Sequence, residues 1–402
     1  MTDITRRDFI KASTAAVASA SLARPAVAQT PIIIPDVKIT KIRKSAYPVS
    51  HPRKIGPNSK KDHPREYQQG LVRVMTDAGI EGVGNDAPAS WIGMNLNELL
   101  IVQDGFLAPN PSGPRIRPAE QSPLIDIVGK LTKRPSYELI GSVLRTSIPV
   151  YDGTIYMRDI DGGVEEVKRN IEDGMAAGHT AFKLKIGRGN WMRETPGLKR
   201  DIEIVHLARR TVGPDAQILV DANDHYSLRQ AQEFIEQTRD LKLYWAEEMF
   251  SEAKGDDYRK LYDFIRARSL KTLLADGEGT DGGGELMSRI EDGVVRAVQP
   301  DIRDIGIFEY RDYARKVDGQ KASIAPHTWA KQIGEYEAML LGAVTPNFLI
   351  AEVARLTSPV LSLASTTVKN GHVDLPETPG LAVRLEEGEY RRICGPTEQV
   401  HS

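Results

Sequence analysis

The chain has 402 residues, 40% of them hydrophobic and 27% charged, with a formal net charge of −2. That length suits one large domain plus a smaller companion, and the near-neutral balance gives no reason to expect nucleic acid or an anionic membrane surface as partner. A single cysteine, Cys394, rules out an internal disulfide framework and a cysteine-ligated metal cluster.

The chain opens on Thr5-Arg6-Arg7-Asp8-Phe9-Ile10-Lys11, a mildly apolar run to Ala23, and then Ala26-Val27-Ala28. An arginine pair, an apolar run and a small-x-small box in that order predict a twin-arginine export signal over residues 1–28, cut after Ala28, and so a periplasmic protein. No later stretch is long and apolar enough to serve as a membrane anchor.

Residues 29–145 read as an α+β domain. Leu71–Met75 and Ile80–Gly84 flank Thr76-Asp77-Ala78-Gly79, a hairpin signal. Helical regions are predicted from about Leu96 to Leu107 and from Leu124 to Val143. Before them, a polar loop carries His51, Arg53, Lys54, Lys60, Lys61, His63 and Arg65. It reads first as a solvated surface loop, and second as a lid whose cations meet an anionic substrate.

From 146 to 355 strands alternate with amphipathic helices. The candidate strands are Ile148–Tyr151, Ala181–Lys185, Ile218–Asp221, Leu243–Glu247, Thr272–Ala275, Arg296–Val298, Ser323–Ala325 and Phe348–Ala351. Helices are predicted between them, among them Val164–Ala177, Asp201–Thr211, Leu228–Arg239 and Tyr258–Arg268. This rhythm is that of a parallel β/α barrel. Residues 356–402, with a Pro376-Glu377-Thr378-Pro379-Gly380 turn, are predicted to return to the first domain.

Barrel enzymes carry their chemistry at the C-terminal ends of the strands. Asp221 ends the third candidate strand, Glu247 the fourth, and Glu278 follows the fifth. Three carboxylates on neighbouring strands can converge on one point, and an all-oxygen set suits Mg²⁺. Glu248 and Asp276 compete as ligands. On the second strand, Lys183 and Lys185 alternate onto one face, the barrel interior. Two ammonium groups side by side depress one another's pKa, so one can serve as a base; the competing reading is a salt bridge to the carboxylates. Asp301 and His327 end the sixth and seventh strands, where a carboxylate can orient an imidazole. Glu352 ends the eighth and, if protonated, could donate to a substrate oxygen. Asp224-His225 reads as a helix cap.

In that order, Lys-x-Lys, Asp, Glu, Glu, Asp, His, Glu, the sequence resembles the enolase superfamily, mandelate racemase subgroup, over essentially the whole mature chain. Thr76-Asp77-Ala78-Gly79, Gly82-Val83-Gly84 and Pro379-Gly380-Leu381 belong to the resemblance. It implies a modified (β/α)7β barrel, of the TIM type, under an N-terminal α+β capping domain. It also implies one Mg²⁺ per subunit on Asp221, Glu247 and Glu278. Lys185, with Lys183 beside it, and the His327–Asp301 dyad would be opposed acid/bases, and Glu352 an electrophile. Tyr151 and Asn223 are expected as substrate contacts. The partner would be a small carboxylate, and the assembly a homo-oligomer. The departures are Met249-Phe250 where a proline is usual, Gly279 after the third ligand, Asn85 after Gly84, and Asp304 before Ile305-Gly306. The expected activity is removal of the proton α to a carboxylate. Its first form is dehydration of a sugar acid or hydroxy acid to a 2-keto acid, and its second is racemisation or epimerisation of a 2-hydroxy acid. The third reading is a non-catalytic periplasmic sugar-acid binder.

Overall fold

The structure, a computed structural model, describes residues 30–250, 255–329, 331–364 and 367–402. The export signal read at 1–28 lies outside them. The chain divides into residues 1–30 and 31–402, and everything that follows belongs to the second unit.

An antiparallel sheet comes first, with strands Ile39–Ser50, Glu66–Thr76 and Glu81–Gly84 in chain order. Gln399–His401, from the end of the chain, pairs with Ile42–Lys44 at its edge. The helix Gln121–Thr132 packs on this sheet at close range. A Cβ on Gly82 would lie 2.4 Å from Ile127 Cγ1, and one on Gly84 2.3 Å from Pro123 Cδ, so both positions require glycine.

One expectation in this domain fails. Only Leu96–Leu99 is helical; Leu100–Gln103 and Phe106–Pro109 form a β-hairpin. Asp104 and Gly105 both have positive φ (52° and 86°), as a type I′ turn demands. The Asp-Gly pair was the local signal, overridden by the leucine spacing. The second helical region is broken in two, Gln121–Thr132 and Ser136–Ile140, at Lys133 (φ 56°). Pro135 stops the helix from continuing. The longest strand of the sheet, Ile39–Ser50, has too irregular an alternation to stand out in the sequence.

The barrel strands are Ser147–Ile155, Ala181–Lys185, Gln217–Asp221, Trp245–Glu247, Leu273–Asp276, Val295–Val298, Ser323–Ile324 and Ala351–Val353. All run parallel, each beside the next, and the eighth pairs with the first. A parallel bridge between Ile324 and Phe348 closes the ring. Helices follow the first seven strands and none follows directly on the eighth, which makes a (β/α)7β barrel among the described residues.

Alternation sorts the side chains. Ala181, Leu219, Trp245, Ala275 and Tyr151 form a small cluster inside the barrel. Phe182, Leu184, Ile218 and Val220 point out into the larger core under the helices. In the first of those helices Val167, Asn170, Ile171 and Gly174 are buried, the i, i+3, i+4, i+7 stripe of a helix lying on a sheet. With Phe182 and Leu184 facing out, Lys183 and Lys185 must face in.

Candidate active site

Lys185, Asp221 and Glu247 stand level with one another across three neighbouring strands. Glu278 joins them from the turn after the fifth strand, where Gly277 and Gly279 have φ of 131° and 78°. Ligand oxygens of Asp221, Glu247 and Glu278 lie within 4.8 Å of one another. Glu278 Oε2 is buried and makes no hydrogen bond, with His327 Nε2 3.4 Å away. Three oxygen donors at that spacing, one unsatisfied, fit a hard divalent cation such as Mg²⁺. Asp276 stands apart, its carboxylate held by Arg289 at 2.8 Å. Glu248 is turned aside by a positive φ of 43° and takes a hydrogen bond from Asn223 Nδ2 (3.0 Å).

Glu247 is held from below. Its Oε2 accepts from Trp245 Nε1 (2.9 Å) and Gln299 Nε2 (3.1 Å), and its Oε1 from Lys183 Nζ (2.8 Å). Lys183 also lies 3.4 Å from Glu352 Oε1, and Lys185 is bonded to Asp221. Burial opposes charge on both lysines. For Lys183 the carboxylates of Glu247 and Glu352 outweigh it, and for Lys185 that of Asp221 does. Both are therefore held well above the ordinary lysine value. The depression expected between adjacent ammonium groups acts on Lys185, through Lys183, but loses to the carboxylate of Asp221.

On the other side, His327 Nδ1 lies 2.8 Å from Asp301 Oδ2. Burial disfavours the imidazolium, but Glu278, Glu352 and Asp301 together push its pKa up to about 9. Asp301 also grips Arg303, whose Nε lies 2.7 Å from Oδ1, and takes a hydrogen bond from the Arg303 backbone N–H. Nothing in the sequence order singled out that arginine. Glu352 Oε2 accepts from the Thr328 N–H (3.2 Å). Burial raises its pKa, but Lys183, His327 and Lys185 more than reverse this and hold it below the ordinary glutamate value, which works against the protonated form that a donor role would need.

Asn223 sits at the mouth, its backbone N–H on Asp221 Oδ1 (2.8 Å) and its side-chain Oδ1 buried without a hydrogen bond. Tyr151 stands level with Glu352 on the neighbouring strand. It is fully buried, edge-on to Trp245 (5.4 Å), with Lys183 Nζ 5.4 Å from its ring centre.

The 51–65 loop is docked rather than solvated. Ile55, Asn58, Ser59, His51 and His63 are buried. Trp191 Nε1 donates to Asn58 O (2.6 Å), Ser59 Oγ donates to Asn223 O (3.2 Å), and Lys60 Nζ reaches Asp224 at 2.9 Å. Asp224 thus serves the loop. The helix cap given to Asp224-His225 belongs instead to Ser227, which forms a capping box with Gln230.

Residues 166–389 match the family model described as enolase C-terminal domain-like. The chain belongs to the enolase superfamily. Within it lie the mandelate racemase and muconate lactonizing enzymes, the branch to which the relatives of this chain also point. It is 25% identical to D-xylonate dehydratase of Haloferax volcanii over 352 residues, 79% of this chain and 83% of that one. It is 26% identical to D-galactarolactone cycloisomerase of Agrobacterium fabrum, over 65% of this chain and 69% of that one. Galacturonate dehydratase of a Geobacillus species, solved with D-galacturonate and 5-keto-4-deoxy-D-galacturonate, superposes with a TM-score of 0.83 at 27% identity. That match covers 92% of this chain and all of the other. A mandelate racemase/muconate lactonizing protein from Geobacillus, solved with magnesium and tartrate, gives 0.83 at 27% identity, over 90% and 97% of the two chains. Members of the superfamily with these names are enzymes, and so is this chain; the reading as a non-catalytic binder is set aside.

Proposed function

We propose that this protein is a magnesium-dependent acid-sugar dehydratase. The observation that carries the reading is the placement of a buried lysine pair and a His–Asp dyad around one carboxylate triad at a barrel mouth. Asp221, Glu247 and Glu278 would hold the metal. Bound there, a divalent cation would supply positive charge where the substrate carboxylate gains negative charge, and would offset the carboxylates that hold Lys185 protonated. The dehydratases among the relatives support the choice of reaction.

Lys185 takes the α-proton of the acid, leaving the electron pair as an enediolate. The Lys183 ammonium lies beside the developing charge. The β-hydroxyl departs as water on a proton from His327, which Asp301 and Glu352 keep charged. The enol that remains becomes the 2-keto acid. Glu352 braces Lys183 and His327 in this scheme. The same two groups also suit a second reading, racemisation or epimerisation of a 2-hydroxy acid, in which the proton returns from the far side.

A sugar-acid panel in D₂O separates the two. A 2-keto product establishes dehydration; deuterium at the α-carbon with no keto product establishes the racemase or epimerase instead. Chelation should abolish either activity and added Mg²⁺ restore it. Turnover that persists in excess EDTA removes the metal from the scheme.

A further inference from the structure

Beside the acid/base groups lies a cluster of rings that the chemistry above does not use. His51 stacks on Trp329 at 5.4 Å, and Tyr156 stacks on Trp329 at 5.0 Å. His63 stands edge-on to both Tyr156 (5.2 Å) and Trp329 (5.5 Å). The cluster adjoins the reacting groups: Lys185 Nζ is 5.3 Å from the Tyr156 ring centre, and Trp329 follows His327 by two residues.

Both imidazoles are buried, and the Nε2 of each makes no hydrogen bond. The protonation of His51 follows from its neighbour. Its Nδ1 lies 2.8 Å from the carbonyl oxygen of Ala354, which only accepts, so Nδ1 carries the hydrogen. Burial, with Arg355 adding to it, lowers its pKa to about 4 and keeps the ring neutral. Nε2 is then a bare lone pair in an apolar setting, which is costly unless a donor meets it. Nδ1 of His63 lies 3.3 Å from the Tyr67 hydroxyl, and this ring is neutral as well.

We infer that His51, with His63 beside it, is a hydroxyl-reading subsite at the end of the substrate remote from the reacting carbon, and selects a mono-carboxylate polyol over a dicarboxylate. A hydroxyl can donate to His51 Nε2. A second carboxylate would set acceptor against acceptor, since neither partner brings a proton. Of the loop's five lysines and arginines, three are taken by carboxylates, Arg53 by Asp173 (2.5 Å), Lys54 by Asp62 (2.7 Å) and Lys60 by Asp224 (2.9 Å), and Arg65 Nε donates to the His51 carbonyl oxygen (3.1 Å), while Lys61 is exposed to solvent. Ring faces with a few polar edges are the usual lining of a small-molecule site.

The inference rests on the proposed reaction for the location of the reacting carbon, so its test reads binding apart from turnover. Magnesium-loaded protein is titrated calorimetrically with six-carbon aldonates, each with its 6-deoxy form and matching aldarate. The aldonate should bind at least about tenfold more tightly than either. His51→Phe, which keeps the stack on Trp329, should weaken aldonate binding by about 10- to 100-fold. Removing the imidazole and the ligand hydroxyl together should cost no more than either alone. His51→Asn, whose amide can still donate to Ala354 O, should behave the same way, and circular dichroism confirms that either variant is folded. Aldarate binding as tight as aldonate, no aldonate binding at all, or equal losses on all three ligands overturns the subsite. The absence of both a 2-keto product and α-deuterium exchange, with the discrimination intact, overturns the reaction and leaves the subsite standing.

Discussion

Asp301 serves two cations at once, the imidazole of His327 and the guanidinium of Arg303. A carboxylate fixed on both sides cannot rotate away, so the imidazole it orients keeps one geometry, with Nε2 toward Glu278 and Glu352. Lys185 is fixed in the same manner by Asp221. If these two groups are the acid/base pair, losing either should cost about 10²- to 10⁴-fold in turnover, the usual worth of a placed proton donor or acceptor. Lys185→Ala should also stop α-deuterium exchange in D₂O, because it removes the group that opens the reaction. His327→Asn should slow loss of the β-hydroxyl while exchange continues. NMR of the α-position checks both. If exchange in Lys185→Ala matches the unaltered protein, the base lies elsewhere. The residues at this scale were legible because strand-end carboxylates, lysines and a histidine recur at barrel spacing. Their charge states were not, since the pKa values of Glu352 and the lysines are set by neighbours on other strands.

Among the elements, the eight barrel strands were legible within a few residues. Parallel strands buried on both faces read as apolar runs, and turns and amphipathic helices separate them. The capping domain was less so. Its leucines at 96, 99, 100 and 107 fit a helical spacing, yet Asp104-Gly105 folds them into a hairpin. The first reading of the loop at 51–65, as solvated surface, failed because composition alone does not show what covers a polar segment. Its two buried histidines make its docking sensitive to acid. His51 falls from 6.5 to about 4 through burial, and His63 likewise through burial and then Lys61 and Lys185. The unfolded chain therefore binds protons that the folded chain refuses. Stability from these residues is present above about pH 6.5 and lost as the pH falls toward 4. The melting temperature should drop across that window. A His51→Phe/His63→Phe double variant should drop less, in parallel scanning-fluorimetry melts. Equal drops in the two proteins would place the acid sensitivity outside the loop.

At the scale of the whole molecule, the carboxylate triad exists only once three separate strands have closed into the barrel, so a metal held there would be captured after folding. That order suits an export route that carries folded proteins, the one read from Arg6-Arg7 and Ala26-Val27-Ala28. Among the described residues the core begins with Ile32 and Val37, beyond the cut read after Ala28. We therefore expect a mature chain beginning at Gln29 in the periplasmic fraction, with magnesium-dependent activity already present. Replacing Arg6 and Arg7 together by lysine should leave the uncut chain in the cytoplasm, with its specific activity unchanged because neither residue belongs to the barrel. Mass spectrometry of the N-terminus and activity in the two fractions decide it. Full-length protein confined to the cytoplasm, with both arginines intact and a working twin-arginine pathway in the host, would end the export reading without touching the barrel chemistry.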